Sequence, residues 1–184
     1  MYLNLEEPTF VDTVRPVSQM TFTEKVHLAR DPSTHPCVLD ELERGSNSSS
    51  FLVESIADHP RTLPSTLRRI LDRGDSQALE FVARNPNTPL DALADLVERY
   101  SYLTARDETV RARCEVILWS VAHNTSTPPE ILAQLANNRY DAVKERVANN
   151  PNTPIEVLLI LMVDDSSWIS ENAERALYAR TALY

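Results

Sequence analysis

The pentapeptide Asn85-Pro86-Asn87-Thr88-Pro89 constrains this chain more than any other stretch, because it returns. Val147-Ala148-Asn149-Asn150-Pro151-Asn152-Thr153-Pro154 repeats it with its flanks, and Val121-Ala122-His123-Asn124-Thr125-Ser126-Thr127-Pro128 is a third version. Aligning one threonine per copy (Thr34, Thr62, Thr88, Thr127, Thr153) gives five segments separated by 28, 26, 39 and 26 residues. Five positions after each threonine stand Leu39, Leu67, Leu93, Leu132 and Leu158, and eight after stand Leu42, Ile70, Leu96, Leu135 and Leu161. Five positions before stand Ala29, Ala57, Ala83, Ala122 and Ala148, and six before stand Leu28, Ile56, Val82, Val121 and Val147. Four columns that hold through five copies without internal gaps mark a repeat architecture.

Each column has a local physical reason. The threonine is read as an N-cap whose hydroxyl accepts from a free amide in the next helix. Pro89, Pro128 and Pro154 follow at the first helical position, where no amide hydrogen is needed. Asp91, Glu130 and Glu156, three residues after their threonines, suit a capping box and the positive end of the helix dipole. The leucines at offsets five and eight share one helix face. A second helix precedes each threonine. The Asn-Pro step ends it, since a residue before proline leaves the α region and asparagine tolerates a left-handed turn. Proline and asparagine thereby replace glycine, of which the chain has two.

The expected fold is all-α: a right-handed α-solenoid, HEAT- or armadillo-like, of about five helical pairs of roughly 26 residues. Residues 1–20 read as an N-terminal arm that caps the stack, the alternative being an arm that orders on a partner. Residues 21–184 form one helical-repeat domain. Gly45 to Ser50 is a loop, and an insertion or elbow falls near 100–110, followed by a longer helix over Val110 to Ala122. A last helix from about Trp168 closes the C-terminal end as residues 168–184.

The string Val-Ala-x-Asn-Pro-Asn-Thr-Pro-x-x-x-Leu-x-x-Leu resembles the leucine-rich repeat variant family of bacteria, best at residues 82–96 and 147–161. The resemblance spans about three quarters of the chain and implies an all-helical right-handed superhelix. The best-known form of that family carries an iron–sulfur cluster on a cysteine-rich N-terminal segment. Residues 1–30 here contain no cysteine, so the fold is carried over and the cluster is not. A metal- or redox-binding relative is kept as an alternative. The family implies no common activity.

The search for chemistry is mostly negative. A net charge of −9 disfavours broad phosphate-backbone contact. No phosphate loop, dinucleotide fingerprint or nucleophile elbow is present. Cys37 and Cys114 lack C-x-x-C spacing and read as reduced thiols. His27, His35, His59 and His123 form no helical metal pair, although His27, His35 and Cys37 stand close in sequence. No signal peptide or membrane span is read, and a cytoplasmic location is expected. The expectation is a non-catalytic protein-binding scaffold without cofactor, catalytic residue or metal. Its interface positions, ranked by residue type, are Arg68, Arg69, Arg73, Tyr100 and Tyr102. The alternative is a nucleic-acid-binding solenoid that uses Arg61, Arg68, Arg69 and Arg73 as a stripe. Trp119 is expected in the core. A homodimer through the C-terminal end is also expected, from Trp168, Leu177, Tyr178, Leu183 and Tyr184.

Overall fold

The structure, a computed structural model, describes residues 16–46, 49–103 and 107–181. Most of the N-terminal arm, the tip of the serine loop, Arg106, Leu183 and Tyr184 therefore lie outside the described residues. Among the described residues the protein is all-helical, and none of its helices is long and apolar enough to cross a membrane.

A short 3₁₀ turn over Val17–Gln19 leads into α1 (Phe22–Arg30), α2 (Pro36–Arg44), α3 (Ser50–Asp58) and α4 (Pro64–Arg73). Next come α5 (Leu79–Arg84), α6 (Leu90–Ser101) and α7 (Glu108–His123). The chain ends with α8 (Pro129–Leu135), α9 (Asp141–Asn149), α10 (Ile155–Leu161) and α11 (Ser167–Thr181). The odd-numbered helices pack one on the next from α1 to α11, and each even-numbered helix packs on the odd-numbered helix after it.

The columns are the core. All ten residues at offsets five and eight are at most 1 % exposed, and so are the five alanines. The branched column is buried as well, except Leu28 in the first segment, which is half-buried. The small alanine lets the next odd-numbered helix approach closely, and the leucines fill the space between layers. Truncating one of these leucines to alanine would cost about 2–5 kcal/mol, the range for a cavity that closes incompletely.

The turns correct the sequence reading. No threonine of the motif is an N-cap. His35, Leu63, Pro89, Pro128 and Pro154 hold that position, one residue later. The threonine hydroxyl instead donates backwards, to a carbonyl six residues earlier in the closing helix. Thr34 bonds Leu28 at 2.7 Å and Thr127 bonds Val121 at 2.6 Å, while Thr62, Thr88 and Thr153 bond Ile56, Val82 and Val147. The reason is accessibility. The threonines are buried under the preceding helix end, whose last carbonyls lack intrahelical partners. The capping box forms elsewhere, at Thr21 and Glu24 ahead of α1.

The asparagines are not left-handed either. Asn85, Asn124 and Asn150 sit at φ −69°, −64° and −77° in extended conformation. Among the glycines only Gly74, which ends α4, has a positive φ, at 72°. The asparagine side chains do a different job. Asn85 Nδ2 donates to the carbonyls of Ala57 and His59, at 2.7 and 3.0 Å, in the preceding turn, while its Oδ1 accepts from the Asn87 amide. Asn150 makes the same three bonds with Ala122, Asn124 and Asn152. So does Asn124 with Ala83, Asn85 and Ser126, across the segment lengthened by the insertion. The extra chain is absorbed by the long α6 and α7, of 12 and 16 residues, without breaking the rung. Each rung gives a donor to the helix-end carbonyl (Ala57, Ala83 or Ala122) and a second donor to the turn carbonyl (His59, Asn85 or Asn124) that already accepts from the following threonine amide.

The ladder has distinct ends. His59 takes an asparagine's place: its Nε2 bonds the Asp31 carbonyl at 2.8 Å and its Nδ1 accepts from the Arg61 amide at 3.0 Å. A carbonyl only accepts, so Nε2 is the nitrogen that donates to it. Asp31 begins the ladder; its carboxylate accepts from Ser33, which holds its pKa below the usual value. At the far end the Arg180 guanidinium donates to the carbonyls of Asn150, at 2.7 Å, and Thr153. Arg180 thus serves the Asn150 carbonyl, the acceptor that the next asparagine of the ladder would have taken.

Candidate binding face

The arginines singled out by residue type are engaged by the chain itself. Arg68 on α4 lies 3.1 Å from Asp72, 3.1 Å from Asp91 and 2.6 Å from Asp95, and the Asp95 bond chiefly holds its pKa above the usual value. Arg69 pairs with Asp40 and with Glu43, the latter at 2.7 Å, and Arg73 reaches the other Glu43 oxygen at 2.7 Å. Burial opposes ionisation of Asp40, yet the Thr66 and Arg69 bonds outweigh it and its pKa is lowered. Glu43 is fully buried, so it is the two arginines that keep its charge supportable. Arg61 donates to the Ser33 carbonyl at 2.9 Å. These groups stitch α2, α4 and α6 together and leave little positive charge uncompensated.

The tyrosine pair divides. Tyr100 packs against the core, and burial raises its phenol pKa. Tyr102, at the end of α6, is 81 % exposed. Cys37 is exposed and Cys114 buried, both as free thiols. The His35 ring accepts from the Cys37 amide as the cap of α2. Among the described residues no three metal-ligating side chains converge. At the C-terminal end Trp168 and Tyr178 are exposed, while Leu177 packs partly against the core.

A second set of arginines lies on the exposed side of the odd-numbered helices, and residue-type ranking missed it. The Arg30 guanidinium, at the end of α1, sits over the Phe51 ring of α3 at 4.6 Å. On α5, Arg84 sits over Phe81 at 4.7 Å and bonds Asp58 of α3 at 2.7 Å. On α7 and α9, Arg146 sits over Trp119 at 4.6 Å, and Trp119 stacks on His123 with centroids 5.0 Å apart and planes 18° apart. Trp119 is therefore not a core residue: one side touches the core and the other carries this stack. Between Arg30, Phe51, Asp58, His59 and Phe81 lies a hollow of about 230 Å³. That is below the roughly 300–1,000 Å³ of small-molecule pockets and is of a size for a side chain.

Helical register explains why these groups line up. Arg30, Asp58, Arg84 and His123 each stand four residues before their threonine, on the last turn of their helices. Phe51 and Val116 each stand eleven before, ahead of a buried pair, and Trp168 precedes the corresponding pair Ile169 and Ala173 on α11. The signal was present in the variable columns of the repeat, on the helix side opposite the invariant ones.

No family model matches the chain, and no curated protein matches it. Among solved structures, an engineered protein known from a crystal structure is similar over 86 % of this chain and 88 % of its own, with 16 % identity and a TM-score of 0.39. A likeness at that level carries no argument about fold or function.

Proposed function

We propose that the chain is a non-catalytic protein-binding scaffold. It is a right-handed α-solenoid of about five helical pairs whose odd-numbered helices present the contact face. The observation that supports this best is the row of arginines stacked on aromatic rings: Arg30 on Phe51, Arg84 on Phe81, Arg146 on Trp119. Arginine and large aromatics dominate the energetics of protein interfaces. Stacking restrains the guanidinium before a partner arrives, so less conformational freedom is lost on binding. Successive helix packing and the rungs between turns fix the spacing of these groups.

The test is affinity capture with the full chain as bait. Arg84→Ala/Trp119→Ala/Arg146→Ala bait should lose partners that wild type retains, while Arg99→Gln bait, altered on α6, should keep them. Equal recovery by all three baits would sink the reading.

Self-association through the C-terminal unit is a second reading, carried by its own observation. Positions six, seven and ten after the threonine are Arg68, Arg69 and Asp72 in the second segment but Leu159, Ile160 and Val163 in the fifth. The latter three are 51 %, 55 % and 82 % exposed. An uncharged apolar surface is self-complementary, as a two-fold contact requires. Light scattering should show a dimer that Leu159→Glu/Val163→Glu abolishes; a monomer at high concentration removes the reading.

A further inference from the structure

The exposed face of the odd-numbered helices has a place where two guanidiniums and an imidazole gather. Arg84, His123 and Arg146 come from α5, α7 and α9. Arg84 shares Asp58. Arg146 makes no ion pair among the described residues, and its buried Nε has no hydrogen-bond partner. The His123 ring is exposed and held flat on Trp119. Arg146 and His123 meet on the same indole, and burial first, then Arg146 and Arg84, lower the His123 pKa. The chain as a whole carries −9, and Arg146 stands here without an acid partner among the described residues. On the opposite layer Arg68, Arg69 and Arg73 all have carboxylate partners.

We propose that Arg84, His123 and Arg146 form a docking point for a carboxylate of an extended acidic segment on a partner protein. The hollow beside Phe81 receives a neighbouring side chain of the segment. The proposal rests on the reading of this face as a protein-binding surface. A guanidinium whose plane is stacked on an indole keeps its N–H edge free, and that edge is what a carboxylate takes in two parallel bonds. The imidazole adds a third donor. Glu54, Glu80 and Glu145 stand on α3, α5 and α9 eight residues before their threonines, the position Trp119 takes on α7. Acids at that spacing interrupt any continuous positive track. A nucleic-acid backbone needs such a track, whereas a peptide carboxylate needs one cationic point between apolar contacts.

The experiment uses the full chain and fluorescein-labelled hexaglutamate, with hexaglutamine and an oligothymidylate of equal length as competitors in kind. Fluorescence anisotropy should show hexaglutamate bound and hexaglutamine not. Arg146→Gln should weaken hexaglutamate at least tenfold, and His123→Gln by a smaller factor. Arg99→Gln, which removes one charge on α6, should leave binding unchanged. Circular dichroism checks that each variant is folded, and a Trp168→Phe background leaves Trp119 as the reporter, whose emission should change on binding. Equal binding of hexaglutamate and hexaglutamine overturns the proposal. So does tighter, Arg146-dependent binding of the oligothymidylate, which would make the site one for nucleic acid. Loss of captured partners in the face variants, with hexaglutamate binding indifferent to Arg146→Gln, would keep the binding face and remove the carboxylate site.

Discussion

Two groups of arginines occupy this molecule, and they do opposite things. Arg68, Arg69 and Arg73 on α4 reach sideways into carboxylates of α2 and α6 and close charge networks inside the chain. Arg30, Arg84 and Arg146 lie on aromatic rings at the exposed side of the odd-numbered helices, and among the described residues only Arg84 of the three has an acid partner. Residue type is the same in both. What separates them is whether the next segment supplies an acid at the facing position: Asp91 and Asp95 do so for Arg68, and no described residue does so for Arg146. An arginine count therefore says little about where a protein meets its partners until the pairs are known.

That contrast is open to attack by substitution. The largest effect is expected on the internal side. Glu43→Ala would leave Arg73 without its carboxylate and Arg69 with Asp40 alone, beside a fully buried hole. Losing one member of a buried pair costs about 3–5 kcal/mol, and since both arginines keep roughly a third of their surface or more in water, a loss of about 3 kcal/mol in urea unfolding is expected. A change below the scatter of the measurement would mean the network is ornamental.

Asn85→Ala comes next. It removes two donated bonds and one accepted bond: the Ala57 carbonyl loses this donor, and the His59 carbonyl keeps only the Thr62 amide. About 2 kcal/mol should be lost, the typical size for buried acceptors left unsatisfied. Arg180→Ala should act the same way at the C-terminal end of the ladder, and native-state hydrogen exchange would see the opening at α10 and α11 first.

On the exposed face, Arg146→Ala should move stability by less than about 1 kcal/mol, as surface changes generally do, while binding falls. A large destabilisation there would show that Arg146 is structural and would collapse the distinction between the two groups.

The weakest response belongs to His123. Its pKa is lowered in the folded chain, so the unfolded chain takes up a proton first as pH falls. Its contribution to stability is complete above the ordinary histidine value of 6.5 and is lost as pH drops through that value toward the folded one. Wild type should lose slightly more stability than His123→Gln between neutral and mildly acidic pH. Identical pH profiles would contradict the lowered His123 pKa, which burial causes first and Arg146 and Arg84 add to.

Much of the fold was legible. Leu39 and Leu42, or Leu158 and Leu161, share a helix face for reasons of pitch alone, and all are buried. The alanine column is buried for the same reason, and the last helix begins within a residue of where the pattern puts it. The turns were legible as turns, but their bonds were not. A threonine before a proline looks like a cap for the next helix, and only the packing of the turn under the earlier helix sends its hydroxyl back to Val121 or Val147. The candidate face was less legible still. Trp119 reads as core from its neighbours Leu118 and Val121, and its place beside Arg146 depends on how α7 lies against α9.

Local periodicity, together with the constraints that proline and threonine place on a backbone, is enough to specify the helices, their buried stripes and the turns between them. Which polar group answers which is settled only in three dimensions. The asparagine amides span 26 to 41 residues to find their carbonyls, Arg69 spans 26 to reach Glu43, and Arg146 meets Trp119 across two helices. Hydrogen bonds and ion pairs are short-ranged and directional, so they depend on where the packed helices bring the side chains, and no spacing along the chain encodes that in advance.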